Sequence, residues 1–197
     1  MGSGQDHRNW AEALTVYFDR RLLVIFAMGI SSGMPLLLSG ATLGYWLAKV
    51  GVDKTAIGLF ALVGLPYSLK FLWAPLIDQL RLPLVTRLFG RRRGWALVTQ
   101  AGLVLAILWL AATDPAVSPL MTAAAALAVA FASASQDIVI DAYRIDVLED
   151  DEQGAGAAMT QYGYRVGLLL SGAGALALAD FLPWGTVFLL LIAVVIL

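Results

Sequence analysis

Four charged residues fall inside long apolar stretches: Lys70, Asp137, Asp141 and Arg165. An ionised side chain at a bilayer centre costs about 2.5–3.5 kcal/mol even on a lenient scale, so such residues seldom face lipid. Asp137 and Asp141 are four apart, hence on one helical face, and Ser133 and Arg144 extend that stripe. Two chemistries fit. In one, an aspartate in a polar cavity, beside a cation such as Lys70 or Arg165, exchanges a proton. In the other, Asp137, Asp141 and Asp146 hold Mg²⁺ for a diphosphate substrate, as in an intramembrane prenyl- or phosphotransferase. Such enzymes bring a second aspartate-rich segment or a longer ordered motif, so the first chemistry is preferred. Glu149, Asp150, Asp151 and Glu152 read more simply as a solvated connection. Structural pairing, Lys70 with an aspartate and Asp141 with Arg144, competes with both.

Other motif matches fail on context. Gly29-Ile30-Ser31-Ser32-Gly33 satisfies G-x-S-x-G but lies within an apolar helical stretch, and the one histidine is His7 near the start. Gly172-Ala173-Gly174 opens a loose dinucleotide fingerprint with no strand before it. No cofactor or metal is expected. The absence of cysteine excludes disulfides and cysteine metal sites, and a net charge of −1 argues against a nucleic-acid footprint.

These residues must sit on membrane helices. Of 197 residues 60% are apolar and 14% charged, and the mean hydropathy is +0.80. Spans of about 20 residues each leave room for six helices and short connections. The spacing predicts spans near 22–48, 55–77, 94–112, 119–142 and 155–179, with a sixth beginning near Pro183. The sixth stops at Leu197, inside an apolar run, which reads as a piece of a longer protein. Residues 1–21 form a polar tail in which Trp10, Ala13, Leu14, Tyr17 and Phe18 fit a short interfacial helix.

Basic residues set the orientation. Arg8, Arg20, Arg21, Arg81, Arg87, Arg91, Arg92, Arg93 and Arg144 share one side, against Lys49 and Lys54 on the other. Nine against two places the N-terminus and the loop between spans 2 and 3 in the cytoplasm. Lys70, Asp137 and Asp141 then lie in the cytoplasmic half and Arg165 nearer the midplane. Small residues recur four apart at Gly29 and Gly33, Gly40 and Gly44, and Gly163, Gly167 and Ser171. They predict tight packing of the first and fifth spans. Pro35 and Pro66 are expected kink sites.

Four ordered segments carry a likeness: FLWAPLIDQL, GRRRGW, ASASQDIVIDAYRIDVL and GAGAAMTQYGYRVGLLLSG. Together, from about Arg21 to the end, the chain resembles the muropeptide permeases (AmpG type) of the major facilitator superfamily. The resemblance implies an all-α fold, the N-terminal six-helix half (22–197) of a transporter in the bacterial inner membrane, with a C-terminal half as partner. It implies proton-driven import of anhydro-muropeptides and no enzymatic activity. Asp78 with Arg91, Arg92 and Arg93 matches the superfamily's cytoplasmic latch. Ala74 stands where the motif opens on glycine, and eleven residues separate Asp78 from Gly90 instead of about three, which implies a differently shaped latch. Since the first and fourth helices line the superfamily's cavity, Gln136, Asp137 and Asp141 lead as cavity residues, with Gln161, Tyr164 and Arg165 from the fifth. An inert half-bundle is the remaining alternative.

Overall fold

The computed structural model describes residues 16–80 and 82–196. Trp10, Ala13 and Leu14 of the expected interfacial helix, with His7, Arg8, Arg81 and Leu197, lie outside the described residues. Tyr17 and Phe18 belong to a short 3-10 turn over Val16–Phe18. All regular structure among the described residues is helical. The helices are α1 (Arg20–Lys49), α2 (Lys54–Leu72), α3 (Ala74–Gln79), α4 (Pro83–Phe89), α5 (Arg91–Ala111) and α6 (Pro119–Val147). After them come α7 (Gln153–Leu169), α8 (Ala175–Ala179) and α9 (Trp184–Val195). The chain is a polytopic helical membrane protein: α1, α2, α5 and α6 are each long and apolar enough to cross a bilayer.

Local chemistry sets the boundaries. Asp19 caps α1, accepting from the Arg21 amide at 2.7 Å, which holds its carboxyl below the usual range. Asp53 caps α2 in the same way, accepting from the Thr55 and Ala56 amides at 2.8 and 3.3 Å. Bonds from Thr55 dominate in pulling its carboxyl below the ordinary 3.8. A depressed pKa gives stabilisation that is complete above the ordinary value and disappears only as pH falls through the folded one. Asp53→Ala should therefore fray the first turn of α2 at neutral pH, raising amide exchange at Thr55 and Ala56, while Asp53→Asn preserves protection.

The expected spans need three corrections. The second is interrupted at Trp73, giving α2 and α3, and α2 itself tightens to 3-10 geometry over Phe60–Gly64 and Lys70–Leu72. Pro66 contributes, since it lacks the amide that would bond the Leu62 carbonyl. Pro35 leaves α1 helical, and the break falls instead at Gly40 (φ −109°, ψ −106°). The region read as a loop between spans 2 and 3 contains α4, started by Pro83 at its first turn and ended at Gly90 (φ +81°). The left-handed backbone at Gly90 lets α4 turn directly into α5. In addition, α6 runs to Val147, five residues beyond the expected end.

The core joins α1, α5, α6 and α9 through residues such as Met34, Leu38, Leu103, Ile107, Val129 and Phe188. Lipid supplies no water-exclusion force between helices, so packing depends on close backbone approach. At α1 and α7 that approach is direct. A Cβ on Gly29 would lie 2.6 Å from the Thr160 carbonyl oxygen, and one on Gly33 would lie 2.9 Å from Tyr164 Cα. Gly163 and Gly167 meet Phe26 and Ile30 in return. The Gly40–Gly44 pair does not share this role: space beside Gly44 is open, and Gly40 is the break in α1.

Between α7 and α8 the helix widens to a π turn over Leu170–Gly174. There the Ser171 carbonyl accepts from Thr42 Oγ1 at 2.7 Å, tying the widened turn to α1 beyond its break. α2 is the loosest span, with 11% of its apolar window buried against 56% for α1 and for α6.

Candidate functional site

α6 and α2 build the site from their periodicity. Ser133 and Asp137 are one turn apart on α6, and Tyr67 and Lys70 are three apart on α2, so each pair shares a helical face. Lys70 Nζ lies 3.8 Å from Asp137 Oδ2, and Ser32 Oγ of α1 donates to Asp137 Oδ1 at 2.6 Å. The Asp137 side chain is 15% exposed, that of Lys70 37%. A carboxylate within the bundle thus has one cation and one neutral donor, and the Lys70 side chain is the more exposed of the pair. That arrangement allows Lys70 to leave Asp137 for another anion without leaving the site.

The remaining expected residues are spread over different environments. Asp141 faces Arg144 at 3.9 Å within the same helix, and its side chain is 57% exposed. Arg165 and Gln161 are exposed on α7. Arg165 makes no ion pair among the described residues. Tyr164 is half-buried, with its carbonyl against Gly33.

Gln136 is buried but turns to a different face of α6. Its Nε2 donates to Ser31 Oγ at 3.3 Å and to Gln100 Oε1. Gln100 Nε2 and Ser31 Oγ (3.0 Å) both donate to the Val195 carbonyl. This network joins α1, α5, α6 and α9, away from the Lys70–Asp137 pair.

At the arginine-rich end, Arg92 bridges two carboxylates: Asp78 Oδ1 at 2.8 Å and Asp146 Oδ2 at 2.6 Å. Arg91 donates to the Asp78 carbonyl at 2.7 Å. Arg93 is exposed. Nearby, Arg21 holds Glu152 at 2.8 Å and the Val147 carbonyl at 3.3 Å, so the start of α1 is pinned to the α6–α7 connection. Arg92→Ala should release both carboxylates and destabilise the protein by about 1 kcal/mol, a small value because the network is partly solvated. Thermal melts in low and high salt read this out: the wild-type advantage should shrink as salt rises.

Residues 21–182 match the family model described as acetyl-coenzyme A transporter 1. The chain belongs to this transporter family. It is 43% identical to the anhydromuropeptide permease of Escherichia coli (strain K12) over 187 residues, 94% of this chain and 37% of that protein. A putative transporter AmpG 4 of Rickettsia felis is 39% identical over 165 residues, 84% of this chain and 40% of that protein. A putative transporter AmpG 1 of Rickettsia conorii is 35% identical over 170 residues, 86% and 41% respectively. The chain therefore spans about two-fifths of the length of these relatives. The likeness to AmpG-type permeases carried by the four ordered segments is borne out.

Three contributors escaped sequence reasoning. Ser32 was read only as part of a failed G-x-S-x-G match, yet it is the donor to Asp137. Gln100 carried a readable signal, a lone amide in an apolar span. Asp146, weighed as a metal ligand, instead completes the Arg92 bridge. Its partner lies on another helix, which local spacing does not reveal.

Proposed function

We propose that this chain is the N-terminal six-helix half of a proton-coupled transporter. It imports anhydro-muropeptides from periplasm to cytoplasm across the bacterial inner membrane by alternating access, with its N-terminus cytoplasmic. The names of the relatives support the cargo, and the excess of arginine at one end supports the orientation. The observation that carries the mechanism is the Lys70–Asp137 pair with Ser32.

Asp137 takes a proton from the periplasmic side. A cargo carboxylate draws the Lys70 ammonium away, and a buried Asp137 carboxylate without its counter-charge takes up a proton in its place. Cargo and proton therefore load together, which is symport. Release of both toward the cytoplasm restores the Lys70–Asp137 pair and resets the carrier. Asp78, Asp146 and Arg91–Arg93 act as the latch on the cytoplasmic face, and a C-terminal half completes the cavity. Gln136, Gln161, Tyr164 and Arg165 are secondary candidates for cargo contact.

The transferase reading is not favoured. Asp141 is engaged by Arg144 and Asp146 by Arg92, so among the described residues the three aspartates do not gather as ligands.

The test is uptake of radiolabelled anhydro-muropeptide by liposomes containing a full-length transporter with this chain as its N-terminal half. Uptake should follow an imposed proton gradient and collapse with a protonophore. Uptake indifferent to the gradient overturns proton coupling. Mg²⁺-dependent turnover of a lipid diphosphate, abolished by a chelator, revives the transferase. Proton-driven uptake by this chain alone removes the need for a second half.

A further inference from the structure

One turn from the Lys70–Asp137 pair, on the side away from Arg92, two hydroxyls are buried with no hydrogen-bond partner: Tyr67 Oη and Ser133 Oγ. Several helical serines and threonines elsewhere in this protein bond back to the carbonyl four residues earlier, while Ser31, Ser32 and Thr42 donate to other helices. Ser39 bonds back to Pro35 (2.7 Å), Ser135 to Phe131 (2.8 Å), Thr160 to Gly156 (2.9 Å) and Ser171 to Gly167 (2.9 Å). Ser133 is fully buried and makes no such bond, so its hydroxyl remains available. The Tyr67 hydroxyl lies beside those of Ser133 and Ser39, and Ser39 is already committed to the Pro35 carbonyl.

α2 and α6 run in the same direction: Ala56 and Phe60 near the start of α2 line one cavity with Pro119 and Ala123 at the start of α6, and Ile77, on α3 beyond α2, packs with Ile138 and Val139 farther along α6. Ser133 lies one turn of α6, about 5.4 Å, before Asp137, so the hydroxyl pair is a rung beside the ion pair. A buried polar group left without a partner is costly, so an unpaired rung beside an ion pair calls for an occupant. Both hydroxyls donate and accept, which suits one neutral oxygen that does the same.

We propose that Tyr67 and Ser133 form a binding subsite for a single hydroxylic oxygen, adjacent to the anion position at Lys70. In the empty carrier a water holds the subsite. In the loaded carrier a hydroxyl of the cargo replaces it, one helical turn from the carboxylate that engages Lys70. The cargo class is thus a molecule bearing a carboxylate and a hydroxyl at that separation. The loaded arm rests on the transport reading above, and the water arm does not.

The test has two readouts on the full-length protein. An experimental density map of the cargo-free protein, at a resolution that shows ordered water, should place one oxygen within hydrogen-bond distance of both Tyr67 Oη and Ser133 Oγ. If the two hydroxyls instead bond only to each other, the subsite does not exist. With anhydro-muropeptide bound, a cargo oxygen in place of the water identifies the cargo as its occupant. Retention of the water identifies a hydration site, and overturns the cargo arm alone. In uptake assays Tyr67→Phe and Ser133→Ala should each raise KM about tenfold with kcat unchanged. Unaltered KM in both variants also overturns the cargo arm. Failure of the transport reading shows as no uptake by the wild type, and leaves the water readout intact.

Discussion

Gly33→Ala is expected to lower the melting temperature of the detergent-solubilised protein by roughly 10 °C, the equivalent of about 3 kcal/mol. The added methyl group would fall inside van der Waals contact of the Tyr164 backbone, 2.9 Å from both its Cα and its carbonyl carbon. Backbone cannot swing aside as a side-chain tip does, so α1 and α7 must separate along their length. Gly163→Ala, meeting the Phe26 carbonyl and lying 3.1 Å from Gly29 Cα, should have a similar effect. Gly102→Ala on α5 is the control, because no atom lies within 4 Å of its added Cβ. There the gain in helix propensity dominates, and stability should rise by up to about 1 kcal/mol. The signs are opposite for the same chemical change. Equal melting of Gly33→Ala and Gly102→Ala would falsify the close-crossing argument.

The second large effect is expected at the ion pair. Asp137→Asn should reduce proton-driven uptake by about a hundredfold or more, the usual scale for loss of a positioned proton acceptor. Folding should be preserved, because an amide still accepts from Ser32 and no longer requires a counter-charge. Lys70→Ala differs: it leaves a mostly buried carboxylate with Ser32 as its remaining donor, so it should lose both uptake and stability. Combining Lys70→Ala with Asp137→Asn removes both charges, and should recover the melting temperature without recovering uptake. Asp141→Asn is the contrast. Its partner is Arg144 on the same helix and its side chain is largely exposed, so uptake should change by no more than about twofold. Normal uptake with normal pH dependence in Asp137→Asn removes the carboxylate from the mechanism.

Much of this site was legible because of what a membrane makes expensive. Lys70 and Asp137 stood out as charges in apolar stretches, and the structure places them 3.8 Å apart. The Gly29–Gly33 and Gly163–Gly167 spacings were readable because a helix returns to the same face every fourth residue, and both line the α1–α7 crossing. The same rule misled at Gly40 and Gly44, because the helix breaks at Gly40 itself and the periodicity no longer describes a face. It was also insufficient at Gln136. Adjacent helical residues point about 100° apart, so Asp137 turned toward Lys70 leaves Gln136 facing Gln100 and Ser31.

By itself the sequence determined the membrane class, the approximate place of the apolar helices, and which charges stand where lipid makes them costly. Those follow from composition and from periodicity, properties of the chain before it folds. Only the tertiary structure decided that Lys70 rather than Arg165 reaches Asp137, that Asp146 joins Asp78 around Arg92, and that Ser32 supplies the second bond to the carboxylate. These choices depend on how helices cross and rotate against one another. That geometry is set by packing between residues far apart in sequence, such as the glycine crossing of α1 and α7 and the small alanine and serine face of α6.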